Sequence, residues 1–227
     1  MDQVRERLPA QSDAPGERRP PLRYSLRDQV LCALRGALVT GELCPGTVYS
    51  APALALRFDV SATPVREAMQ QLVREGAVEV VHNRGFRVAS RSVRDLAELA
   101  EVRALIEVPV MLRLARTVRP ECWEPLRPLA QDTVVAAGAG DRAAYADADR
   151  AFHAALLGLG GNAQLVAVAG ELHGRAQWPA AHGPGPHPAQ LLADATEHAV
   201  LLDALVARDL PTVESLVREH FSGVPGT

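Results

Sequence analysis

The chain has 227 residues, 48% hydrophobic and 22% charged, with a formal net charge of −3. That is length enough for one large domain or two modest ones with real cores, as in an ordinary globular protein. Cys32, Cys44 and Cys122 are scattered, odd in number and form no CxxC pair, which argues against a disulfide framework, and no apolar run approaches the ~20 residues of a bilayer span.

No basic, apolar, small-residue leader opens the chain, so a cytoplasmic protein is expected. The charge is unevenly divided. Residues 1–94 carry 14 arginines against 10 acids, and the remainder 10 against 17. A basic front half is a weak pointer to a polyanion partner. All 24 basic residues are arginine, for which a coding bias is the simplest account.

Residues 1–22 mix charge with Pro and Gly without periodicity and read as a disordered arm. A first unit is expected over residues 23–90. Ser25 caps a helix whose apolar face is Leu26, Val30, Leu34 and Leu38, with Gly41 at its stop. Ser50 caps a short second helix with Pro52 in its first turn and Arg57 at its end. A third helix opens "SATPVREAMQQLVREG", with Val65, Met69 and Leu72 on its buried side and Gly76 as its stop. Val78, Val80, Phe86 and Val88 then alternate around "HNRG", the signature of a β-hairpin.

Three helices followed by a hairpin are the plan of a winged helix-turn-helix. A recognition helix enters the major groove by its N-terminal end, where unpaired N–H groups and the positive dipole end face the DNA. The hydroxyls of Ser61 and Thr63 and the guanidinium of Arg66 suit phosphate oxygens or base edges there. Pro64 costs nothing in a first turn that lacks N–H partners. The wing tip, His82, Asn83, Arg84 and Gly85, offers an arginine for the minor groove, with glycine permitting close approach. Arg57 suits a phosphate clamp. A pairing of Arg66 with Glu67 or Glu75 is the bland alternative.

On these residues, "GELCPG…ALALRFDVSATPVREAMQQLVREGAVEVVHNRGFRV" resembles the DNA-binding domain of GntR-family transcription regulators. Their pattern runs VSRTPVREAL through an "EG" break to an "RG" wing. Ala62 stands where that family often carries an arginine that contacts DNA.

The second unit, residues 95–222, reads as about six helices separated by Gly, Pro or Asn breaks, with Asn162 a good cap. Asp149 and His153, four apart in "DADRAFHAALL", point the same way from one helix. His198 and His220 lie on two other apolar-faced helices. Spacing alone favours a surface or capping pair for Asp149 and His153, and His82, His173, His182 and His187 read as wing, surface or loop residues. If the imidazoles and the carboxylate converge, they make a borderline-metal site.

This half resembles the FCD ligand-binding domain of the FadR branch, through "EVRALIE", "DRAFH", "GNAQL", "EH" and the final "H"; six helices point to the VanR-like subgroup. The resemblance implies a mostly α fold with an antiparallel six-helix bundle behind the wing. It also implies a divalent metal, Zn with Ni or Mn as alternatives, on Asp149, His153, His198 and His220. Arg103 resembles the arginine that family members use near the effector; a salt bridge to Glu107 or Glu101 is its alternative.

The expectation is a homodimeric repressor on a double-stranded, palindromic operator, with a small-molecule effector, a carboxylate by resemblance, no membrane and no catalytic residues. A hydrolase-like metal centre, and a ligand-independent repressor with a structural metal, are the alternatives.

Overall fold

The computed structural model describes residues 25–178 and 187–222. The expected arm at 1–22, and the loop residue His182, lie outside them. The first unit runs α1 (Leu26–Val39), β1 (Val48–Tyr49), α2 (Ala51–Arg57), α3 (Ala62–Arg74), β2 (Val78–Val81) and β3 (Gly85–Val88). Local chemistry sets the helix starts: Ser25 accepts from Asp28 N–H and Ser50 from Ala53 N–H. Val30, Leu34, Leu38, Val65, Met69 and Leu72 close one core, while Leu26, expected on that face, is 51% exposed. It is the first residue of α1.

The three strands are antiparallel in the order β1-β3-β2. The hairpin was legible; β1 was not, since two residues carry no alternation. β3 is the central strand, which explains a second departure. Phe86 and its cross-strand partner Val80 share a face, yet Val80 is 58% exposed and Phe86 only 7%. Phe86 has a strand on either side, Val80 on one.

Gly85 has φ +126°, and a Cβ there would stand 2.3 Å from the Tyr49 carbonyl oxygen. The glycine of the wing therefore also answers to the close passage of β1, an internal reason beside the groove contact expected from sequence. Gly85→Ala is expected to cost at least about 1–3 kcal/mol of stability through backbone strain alone, read as a lower urea midpoint at unchanged slope.

The second unit holds α4 (Val93–Thr117), two 3₁₀ turns (Pro120–Cys122 and Glu124–Leu126), α5 (Arg127–Gly138), α6 (Arg142–Gly158), α7 (Ala163–Gln177), α8 (Pro188–Ala207) and α9 (Leu210–Ser222). Six α-helices among the described residues match the sequence reading. Ser92 opens α4 with a capping box to Asp95, and Asn162 caps α7. Met111, Phe152, Leu156, Leu202, Val213 and Val217 build a second core.

The two units touch. α1 lies against α6, with Gly36 close enough that a Cβ would stand 3.3 Å from Ala143. Trp178, at the end of α7, is buried in the first unit's core.

Candidate DNA interface and metal centre

The N-terminal tip of α3 is open. Ser61 is the N-cap residue but makes no side-chain capping bond, and Ser61, Thr63 and Arg66 are all exposed. Its hydroxyl therefore remains available to an outside acceptor. Arg66 has no ion pair among the described residues, with Glu67 or with Glu75, and Glu75 is held by Arg35 and Gln71. Pro64 is half-buried in the first turn. Arg57 pairs with Glu42, a competitor for its expected phosphate role. His82, Asn83 and Arg84 form the exposed turn of the wing, with Asn83 at φ +56°.

In the bundle, the structure brings Asp149 and His153 on α6, His198 on α8 and His220 on α9 together. His198 Nε2 lies 3.4 Å and His153 Nε2 3.5 Å from Asp149 Oδ1, and His220 Nε2 lies 3.1 Å from His153 Nε2. Ligands on ~2.0–2.1 Å bonds in a tetrahedron stand about 3.3 Å apart. His153, His198 and His220 lie within metal-ligating range of one another, and Asp149 within that range of His153, spacings that suit a small ion.

Hydrogen bonds orient the rings. Thr133 Oγ1 donates to the Ala130 carbonyl at 2.7 Å and lies 3.1 Å from His198 Nδ1. Its one proton is spent, so His198 Nδ1–H donates to it and the Nε2 lone pair faces the cluster. That Nε2 is buried without any hydrogen-bond partner, which is the condition a metal ligand requires. His220 Nδ1 lies 3.3 Å from Glu197 Oε2, and donating to it turns the Nε2 lone pair the same way. Such outer partners fix tautomer and ring angle in metal sites.

The charges agree. Burial works to raise the Asp149 carboxyl, but His173 and hydrogen bonds from His153 and His173 outweigh it and hold it well below the usual carboxylate range. Burial presses His153 well below the ordinary imidazole value and His198 to about 4. Asp149 is thus held as a carboxylate and His153 and His198 as neutral imidazoles, the form in which these groups bind metal.

His173 corrects the sequence reading. It is 3% exposed, with Nε2 2.6 Å from Asp149 Oδ2 and Nδ1 2.9 Å from Arg103 Nη2. Arginine has only donors, so His173 accepts at Nδ1 and donates from Nε2. Although Asp149, His153 and His173 also lie within metal-ligating range of one another, this proton makes His173 a holder of the carboxylate. With Gln177, 3.1 Å away, it occupies Oδ2 and leaves Oδ1 to the cluster. Its sequence neighbours Gly174 and Arg175 mimic a surface turn; the available signal was Ala169 four residues earlier, on the same buried stripe.

Arg103 meets its bland alternative and more. It pairs with Glu107 at 3.0 Å, donates to His173 and sits 5.1 Å from the Phe221 ring centroid. Beside the imidazoles remains a cavity of about 10 Å³, lined by Glu107, Met111 and Phe221 among others. That is room for a single water. His187 caps α8 from an exposed position.

Comparison with known proteins adds the following. Residues 98–223 match the FCD domain, and residues 26–88 match the bacterial regulatory proteins of the gntR family. An uncharacterized HTH-type transcriptional regulator in an unstable DNA locus of Streptomyces ambofaciens is 30% identical over 203 residues, 87% of this chain and 83% of that protein. A probable D-xylose utilization operon transcriptional repressor of Paenarthrobacter nicotinovorans is 28% identical over 207 residues, 90% of each. The solved structure of McbR/YncC from E. coli superposes with a TM-score of 0.67 at 26% identity, covering 88% of this chain and 95% of that one.

Proposed function

The chain belongs to the GntR family of bacterial regulators and carries an FCD domain, and from that premise we propose a homodimeric repressor that grips a pseudo-palindromic operator and answers to a small metabolite. As a transcription regulator it is not an enzyme, so the hydrolase alternative is dropped. Family membership supports α3 as the DNA-reading element. The half-sites would lie one helical turn apart. Exposed Val102 and Leu105 on α4, 42% and 70% accessible, are three residues apart on one helical face and suit a contact between protomers.

For the bundle, Asp149 Oδ1 and the Nε2 atoms of His153, His198 and His220 are the proposed ligands of a divalent ion, zinc by donor type. When bound, the ion would supply a cationic anchor, structural if four-coordinate and open to an effector carboxylate if six-coordinate. Its other partners are this chain's work. His173 and Gln177 keep Oδ2 occupied, and Thr133 and Glu197 aim two of the rings.

The observation that carries the regulatory reading is α7. His173 and Gln177 both hold Asp149 Oδ2, and the next residue, Trp178, is buried in the core of the DNA-binding unit. A change in how the site holds α7 thus reaches the DNA-binding head directly. An acidic effector has a way in through Arg103. A carboxylate that draws Arg103 off Glu107 and His173 removes the acceptor's donor and loosens α7. Such an effector alters operator affinity only if it prefers one arrangement over the other.

The small cavity favours one rival, a structural ion in a ligand-independent repressor. The test is titration of an inverted repeat from beside the protein's own gene against random duplex, at several salt concentrations, with and without chelator. Specific binding that organic acids shift supports the sensor. Specific binding that they never shift supports the rival, and an equal affinity for random duplex removes both.

A further inference from the structure

A second, chemically different place lies between the two units, on the side of the head away from the tip of α3. An open cleft of about 580 Å³ is bounded by Gly76 at the end of α3, the linker residue Arg91, α4 and Arg175 of α7. That volume is in the range of small-molecule sites.

Two guanidiniums meet over Gly76. A Cβ at that glycine would stand 3.8 Å from Arg175 Nε and 3.9 Å from Arg91 Nη2. Arg91 is only 8% exposed. Its Nη2 donates to the Gly76 carbonyl at 2.9 Å, while its Nε is buried with no acceptor. Neither arginine reaches a carboxylate within salt-bridge distance among the described residues. Burial, and then the charge of Arg175, depress the Arg91 guanidinium, with Asp95 opposing them. Two like charges, one of them buried and with an orphan donor, call for an anion.

Two of the three acids on the wall are engaged: Asp95 accepts from both the N–H and the hydroxyl of Ser92, and Glu98 from Arg94, while Glu79 stands in register with Arg87 across the sheet. DNA phosphate is not the occupant, since the 13 residues of α3 separate the cleft from the DNA-reading tip by about 20 Å.

We propose that this cleft binds a small oxyanion, a carboxylate or phosphate metabolite, clamped between Arg91 of the linker and Arg175 of α7. Its position ties the linker and the end of the recognition helix to the bundle, so a bound anion fixes the head's angle. The cleft shares no lining residue with the proposed metal ligands.

The test is calorimetric titration of the full chain with inorganic phosphate and, separately, with succinate, in sulfonic-acid buffer at constant ionic strength. At least one should bind saturably, with Kd of about 1 mM or tighter. Arg175→Gln, at an exposed position, should weaken that binding roughly tenfold or more, and Arg91→Lys should do the same. Arg116→Gln, at an exposed position on α4 away from the cleft, should leave it unchanged. Which anion saturates separates the carboxylate source from the phosphate source. Absence of saturable binding by both, undiminished binding by Arg175→Gln, or an equal loss in Arg116→Gln each overturns the proposal.

Discussion

His198→Ala is expected to take the protein from about one bound divalent ion per chain to almost none, as read by elemental analysis after gel filtration. The imidazole removed is the one whose Nε2 is buried without a partner, and three remaining donors leave an ion with an open, poorly held position. An ion present at a thousandfold its Kd stabilises the fold by about 4 kcal/mol. For a chain of this size that corresponds to roughly 8–16 °C in Tm. Chelator should therefore lower the melting point of the parent and leave that of the variant unmoved. Thr133→Val keeps all four ligands and removes only the acceptor of His198 Nδ1–H. It is expected to weaken metal binding 10–100-fold, which a ring serving only in core packing would not do. A parent protein that takes up no ion on reconstitution with zinc, nickel or manganese sinks the site.

Arg66→Ala is expected to weaken operator binding by about 1–3 kcal/mol if the guanidinium reads a guanine edge. The residue is exposed and has no ion pair among the described residues, so its removal should leave the melting curve in place. The two possible contacts separate cleanly. A base contact relaxes specificity at one operator position. A phosphate contact weakens all duplexes alike and lowers the salt slope by about one. An affinity unchanged at fixed salt would falsify the recognition role and leave the α3 tip without a purpose.

Much of the head was readable because its determinants are local. Ser50 capping α2, Gly76 ending α3 and the Val65, Met69, Leu72 stripe all act within a turn or two of chain. The family likeness rests on the same short-range pattern, and it groups Asp149, His153, His198 and His220 without any information on which helices meet.

What the chain alone could not display are partners brought together from afar. His173 looks like a surface residue between Leu172 and Gly174, yet it sits against Asp149, 24 residues away, and Arg103, 70 residues away. Trp178 is the last residue before an apparent loop, and only the docking of α7 onto the head shows whose core it fills. The need for glycine at 85 is likewise set by Tyr49, 36 residues earlier in the chain. Periodicity and caps report which face of a helix is buried; they carry no information about the neighbour across the interface. Helix identity, the cationic tip and the ligand types were thus determined by sequence, while the orientation of every site ring and the link from site to head were decided by packing alone, because each depends on distances between segments that no local pattern encodes.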